Sequence, residues 1–432
     1  MTFVPTLNCT PLARALLWSA FALLGTFVLS DRAAWAAPAA APPSAQPAAS
    51  ATLADAVLQC KTLDYASCPA LLQAGADRAG AVAAIAQVLA APASATELRV
   101  RASQALLLLD ARDHKEAFAT AARAVQGQPE EVDVLGAMAR LGDAAAVPRL
   151  LVLLDGADER AQSLAASSLG LMRAKEATPR LTARLQAPTP GRVTAAAAQA
   201  LGFIGAKEAV APLIELASSP HAYGMARAHA LDALATLGDP RAVVVATLSI
   251  DAPKRDIGRA ALRVLRAMPT AWTLPALDFA LDTPGLRAEA CRAVAAGGVK
   301  ALGAKLVHVM TMPDLTDDDR LWLWHALGVI KPAGAGQAML RAFQAEPNGP
   351  RKLAALRSLT ETGDRTVVPT LVPLLRDKDR VLADHIVTAL ERLTGENLGP
   401  DERLWRKFAG GEPANGNGAK LDGAKAAPTT TE

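Results

Sequence analysis

Residues 193–217 read VTAAAAQALGFIGAKEAVAPLIELA. Val193, Ala196, Ala197, Ala200, Leu201 and Ile204 recur at the three- and four-residue spacing of one helical stripe. Gly205 ends the run, as a residue in the left-handed conformation just past a helix end does. A second stripe follows at Val210, Leu213, Ile214 and Ala217. Pro212 lies in its first turn, where a missing N–H is tolerated. The product is an antiparallel helix pair with an apolar face it cannot cover by itself, so it requires neighbours.

Those neighbours are in the sequence. The turn recurs in ARLGDAAAVPRLLVLL at Gly142, in ATLGDPRAVVVATL at Gly238, in TETGDRTVVPTLVPLL at Gly363 and in ERLTGENLG at Gly395. Successive glycines lie 63, 33, 125 and 32 residues apart, which is two, one, four and one steps of about 31 to 33 residues, the range of a helical solenoid. Glycine closes one helix, Asp143, Asp239 or Asp364 caps the next, and Pro240 stands at a first helical position. In the weaker middle, Pro269, Gly297-Gly298 and Lys331-Pro332 occupy the turn positions. These segments, with VRASQALLLLDARDHKEA, resemble the HEAT-repeat family in its short bacterial form, also found in phycobilisome lyases. The likeness runs from about Leu98 to Phe408. It implies an all-α fold, an α-solenoid of stacked antiparallel helix pairs whose first helices line the inner surface.

The chain ends read differently. Residues 1–36 have Arg14 before the apolar run Ala15–Ser30 and small residues at Ala34 and Ala36, the layout of a secretory signal. The run of 16 residues is shorter than the ~20 of a spanning helix. An exported, periplasmic location follows, with an uncleaved inner-membrane anchor as the alternative. Residues 37–51 form a Pro/Ala-rich linker and residues 409–432 a Gly/Ala/Asn-rich tail, both lacking the means to build a core. Residues 52–97 form an N-terminal helical cap, and residues 98–408 the repeat array. The hydrophobic fraction is 51 % and the aromatic fraction 4 %, so the core is built from Ala, Leu and Val. Removing the leader takes away Arg14, Arg32 and Asp31 and changes the net charge from +3 to +2, too near neutral for a nucleic-acid partner.

Cys60 and Cys68 flank the loop CKTLDYASC, with Ser67 as a cap and Pro69 as the first position of the helix that follows. In an exported chain the pair reads as a disulfide, since no histidine is near enough to complete zinc spacing. Cys9 leaves with the leader, and Cys291 remains as a packing residue.

Catalytic patterns are missing. Six histidines are dispersed over six repeats, and neither HExxH, GxSxG nor a phosphate loop occurs. Asp317, Asp318 and Asp319, preceded by the cap Thr316, point in three directions on a helix and do not form a cation site. No cofactor is expected. The reading is an exported, non-enzymatic scaffold that binds a protein partner. Alternatives are an accessory subunit or enzyme using the array as a substrate platform, and a binder of an anionic polymer or surface.

Aligning the first helices on their stripes puts Gln199 level with Arg263, Arg292, His325 and Arg357, with Arg259 one turn away. By the resemblance these form a basic ladder facing an acidic partner, with Trp324 outward beside His325 and Trp322 in place of a core alanine.

Overall fold

All the repeat helix pairs but one turn on a residue in the left-handed conformation. In the computed structural model, which describes residues 47–186, 191–347 and 349–410, Gly142, Gly205, Gly238, Gly298, Gly363 and Gly395 have φ between 60° and 83°. The long glycine-free steps contain the same turn built from other residues: Arg173 at φ 53° and Lys331 at φ 52°. Asp110, at φ 52°, supplies one more ahead of Gly142. At Pro269 the left-handed turn is absent, and the preceding helix ends on Met268 at φ −135°, because proline cannot leave negative φ.

The chain divides into two compact units between Val245 and Ala246. In the first, α1 (Pro47–Gln59), α2 (Pro69–Ala76) and α3 (Arg78–Ala90) form the cap. Pairs follow: α4 (Thr96–Leu108) with α5 (Lys115–Ala124), α6 (Glu131–Arg140) with α7 (Val147–Leu154), α8 (Glu159–Leu171) with α9 (Thr178–Leu185), and α10 (Arg192–Ile204) with α11 (Val210–Ser218). Next come α12 (Gly224–Leu237) and α13 (Ala242–Leu248), the latter carrying the division. The second unit holds α14 (Arg255–Ala267) with α15 (Leu274–Asp282), α16 (Arg287–Gly297) with α17 (Gly303–Val309), and α18 (Asp317–Ile330) with α19 (Ala335–Ala345). It closes with α20 (Gly349–Thr362) and α21 (Val368–Leu371), then α22 (Arg380–Thr394) and α23 (Glu402–Ala409). Within each unit, first helices stack on first helices: α8, α10 and α12 in one, α14, α16, α18, α20 and α22 in the other. No strand occurs among the described residues. The fold is the all-α solenoid expected from the period.

The first helix starts at Pro47, inside the stretch read as linker, so the cap begins earlier than residue 52. The cause is burial: Ala54, Val57 and Leu58 are 6 % exposed or less, and the alanines before them continue the helix at little cost. Residues 1–36, read above as a leader, the first part of the stretch read as linker, and residues 411–432 lie outside the described residues.

Small side chains set how closely first helices approach. A Cβ built on Gly170 in α8 would lie 2.5 Å from the Ala200 Cα of α10, and one on Gly202 would lie 2.8 Å from the Ala233 Cα of α12. Both glycines stand three residues before their turn, and both alanines five before theirs. One contact therefore recurs from repeat to repeat, which accounts for an alanine-rich core.

A second recurring contact was not legible from residue types. At six of the turns the residue eleven positions earlier bonds the end of the preceding helix. Arg99 donates to Ala91 O at 2.6 Å, Thr194 to Arg184 O at 3.1 Å, Arg227 to Ala217 O at 3.0 Å and Arg287 to Leu281 O at 3.1 Å. Gln162 donates to Gly156 O, and Glu131 accepts from Gly127 N at 2.8 Å. Each satisfies a backbone group that a helix end leaves open.

The aspartates act largely as the sequence implied. Asp143 accepts from Ala145 N and Asp364 from Thr366 N. Asp239 accepts from Arg241 N, and the Arg241 guanidinium beside it holds its carboxyl down to about 2. The helix there starts at Ala242, so Pro240 lies in the turn before it. Ser67 does not cap α2: its N–H is bound by Asp64, the cap position is Cys68, and Pro69 does open the helix. At the other end Trp405 is fully buried, donates to Gly399 O at 2.7 Å and meets Phe408 edge to face.

Two outcomes follow from these contacts. Gly202→Val should lower unfolding free energy by about 1–3 kcal/mol through overpacking against Ala233, whereas Arg173→Gly should raise it by about 0.5–1 kcal/mol by relieving left-handed strain; denaturant titration reads both. Burial raises the Glu131 carboxyl, but bonds from Arg149 and the Gly127 N–H outweigh it and leave it below the usual range. Its stabilisation is therefore present above the unfolded glutamate value of about 4.3 and lost as pH falls through the lower folded value. Glu131→Gln should cost about 1–3 kcal/mol at pH 7, with the gap to the parent narrowing below about pH 4.

Candidate binding surface

The centre of the second unit is built on the start of α18. Thr316 Oγ1 accepts from Asp319 N at 3.1 Å, and Asp319 Oδ2 accepts from Thr316 N at 3.0 Å, a reciprocal cap. The three aspartates then diverge. Asp317 pairs with Arg351, Asp318 accepts from Trp322 Nε1 at 3.1 Å, and buried Asp319 accepts from Ala288 N of α16 at 3.1 Å. Among the described residues no three His, Cys, Asp or Glu side chains are placed to hold a metal ion.

Asp318 orients Trp322, and Trp322 organises what surrounds it. The Arg292 guanidinium of α16 lies 4.0 Å from the Trp322 ring centroid, an attractive cation–π geometry. The His325 ring meets the same indole edge to face at 5.8 Å. Arg292 also reaches Glu289 at 2.5 Å and Asp318 at 3.6 Å, and Glu289 is 3.5 Å from Arg266 of α14. A chain of alternating charges therefore runs across α14, α16 and α18 and ends on an aromatic pair. Leu321 and Val329 stay exposed beside it, at 39 % and 44 %.

The sequence-derived ladder keeps its register. Arg292, His325 and Arg357 each stand six residues before the left-handed residue of their repeat, and Arg263 stands six before Pro269. Its character differs. Arg263 is half-buried, and Arg292 retains 18 % of its side-chain exposure, its charge engaged by two carboxylates. Arg259 is exposed and donates to Gly285 O at 2.9 Å. Arg357 is 74 % exposed, with Glu361 at 3.3 Å, and His325 is exposed. The tryptophans exchange roles: Trp324 is only 2 % exposed, whereas Trp322 is half-buried at the surface. In a run of Leu-Trp-Leu-Trp every position is apolar, so the packing of α18 against α16 and α20 decides which ring points inward.

Elsewhere the polar side chains serve the fold. His229 Nδ1 bonds Ala195 O at 3.0 Å across α12 and α10. Cys291 is 1 % exposed, and burial, aided by the Asp319 charge, pushes its thiol far up. A shallow depression lined by Lys115, Phe118, Met138 and Asp143 encloses only about 10 Å³, far below the ~300–1,000 Å³ of small-molecule sites.

A family model for HEAT repeats matches residues 132–202 and 189–266. No curated protein matches it at a significant level. Among solved structures, the complex of CpcE and CpcF of phycocyanin lyase from Nostoc sp. PCC7120 is 22 % identical over 57 % of this chain and 94 % of that chain, with a TM-score of 0.35. Kap95p, solved with RanGDP, is 13 % identical over 81 % of this chain and 50 % of its own, with a TM-score of 0.44. Kap121p is 11 % identical over 81 % and 46 %, with a TM-score of 0.47.

The burial of Cys291 sets a labelling pattern. Native protein should leave Cys60, Cys68 and Cys291 unmodified by iodoacetamide, and denatured, unreduced protein should add label at Cys291 but not at Cys60 or Cys68. Peptide mass mapping of the two samples checks it.

Proposed function

We propose that this chain is an exported, non-catalytic scaffold that binds an acidic protein partner on the first-helix face of its second unit. The observation that carries the reading is Trp322, held by a hydrogen bond from its own Nε1 to Asp318, by the Arg292 guanidinium on its face and by the His325 ring at its edge. Energetic anchors at protein interfaces are enriched in Trp and Arg. An anchor already fixed in its rotamer loses little side-chain entropy when a partner closes on it.

The surroundings favour a protein over a small molecule. Leu321, His325, Val329 and Arg357 offer a mixed apolar and cationic surface, the composition of an interface centre with a polar rim. Exposed Arg259 and Arg357 favour carboxylates on the partner, while Arg292 acts as a clamp on Trp322 and not as a free cation. Trp322 therefore replaces Trp324 in the docking set. Export rests on the leader-like residues 1–36 and fits the Cys60–Cys68 bridge, since such bonds persist in oxidising compartments.

The test is site-specific photocrosslinking. A crosslinking residue at His325 should capture a defined protein, identified by mass spectrometry, that the same residue at exposed Arg341 on α19 does not capture. Trp322→Ala should reduce that capture about tenfold or more, as expected of an anchor, and Arg357→Glu should weaken it further. Capture at Arg341 alone, or capture at His325 indifferent to Trp322→Ala, places the docking surface elsewhere.

A further inference from the structure

We propose that the Cys60–Cys68 bridge is a redox latch on the N-terminal cap. With the bridge reduced, α1–α3 open away from α4, while the repeats behind them stay closed.

The argument starts from position. In a stacked array each element is held mainly by its nearest neighbours, so an end element has one flank of contacts where an internal one has two. The main contacts of α1–α3 beyond themselves are with α4 and α5. The cap is therefore the part of the first unit with the fewest ways to be retained, and any stabilisation removed from it is felt locally.

Two of its polar attachments lie at the loop that the bridge closes, while Arg78 of α3 separately donates to Leu109 O at 2.9 Å and to Asp110 O at 2.6 Å. Arg101 of α4 donates to Leu58 O at 2.8 Å and also to Cys60 O, holding the end of α1 where the loop leaves it. Tyr65, midway round the loop, donates to Leu108 O at 2.7 Å at the far end of α4. The cap thus reaches α4 at two points, Arg101 and Leu108, about two helical turns apart. Cys68 is fully buried and Cys60 is half-buried, so Cys60 is the end of the pair nearer solvent.

The chemistry is thiol–disulfide exchange with a dithiol such as dithiothreitol. One reagent thiolate bonds to the Cys60 sulfur, the S–S bond breaks, and Cys68 leaves as a thiolate that takes up a proton. The second reagent thiol closes its own disulfide and releases Cys60 as a thiol. The protein gains two electrons and two protons, and the dithiol loses them. Losing the constraint of a loop across a separation of 8 residues favours local opening by about 50- to 100-fold in the chain-entropy estimate.

Amide hydrogen exchange on the full chain, with and without dithiothreitol, tests the latch. Reduction should speed exchange in α1–α3 by about 50- to 100-fold, leave α8–α12 within about twofold, and be reversed on reoxidation. Cys60→Ser with Cys68→Ser should reproduce the reduced pattern in the absence of reagent. Acceleration below about threefold in α1–α3, equal acceleration through α8–α12, or a double variant that exchanges like the oxidised parent overturns the proposal. The exchange of α8–α12 also reports whether the double variant has folded. None of these readouts depends on the binding function.

Discussion

Close approach of successive first helices is the constraint on which the structure rests. Gly170 against Ala200 and Gly202 against Ala233 leave no room for a Cβ, let alone a branched side chain. Backbones this near gain dispersion contacts along their whole facing length, and any larger residue would force them apart. The turn has to deliver each helix to that contact at the same height. A left-handed residue at the end of the first helix does so whether it is Gly205, Arg173 or Lys331. The identity of the turn residue is therefore negotiable, while the left-handed conformation recurs at every repeat turn but the one at Pro269.

Polar side chains finish what the apolar stripe starts. Arg99, Glu131, Gln162, Thr194, Arg227 and Arg287 share one register and one task, engaging backbone groups at the end of the preceding helix. Buried Arg99 and Arg287 are tolerated because carbonyl groups receive their N–H donors and, for Arg287, because Asp314 pairs with its charge at 3.0 Å. Their spread of residue types shows that satisfying an orphaned backbone group, more than charge, is what the position requires.

The candidate surface is a by-product of the same order. A register that fixes six residues ahead of each turn presents Arg292, His325 and Arg357 on successive first helices of the second unit. Inter-helix pairs then decide which of them stay free. Arg292 is drawn into Glu289, Asp318 and the Trp322 face, which lowers its value as a lone cation and fixes an aromatic in place. Arg357, tied only to Glu361 on its own helix, remains open to solvent.

Much of the architecture was determined by the sequence alone, because it depends on local chemistry. Helix periodicity, the glycine turns, the aspartate caps after them, the reciprocal cap at Thr316 and the Cys60–Cys68 pairing each involve residues close in the chain. The spacing of Arg292, His325 and Arg357 from their turns can also be counted in the sequence, since register within a helix is geometry at 100° per residue. Tertiary structure decided three things. It chose Trp324 over Trp322 for the interior, where an all-apolar run has no stripe to break the tie. It filled the glycine-free steps with Arg173 and Lys331, whose left-handed strain is accepted only because packing on both sides requires the turn. And it drew one rung of the ladder, Arg292, and the nearby Arg266 into ion pairs, because Asp318 and Glu289 sit far from them along a linear alignment of first helices yet meet them across helix faces. Charges that pair between helices are set by stacking distance and rotation, which no single helix encodes.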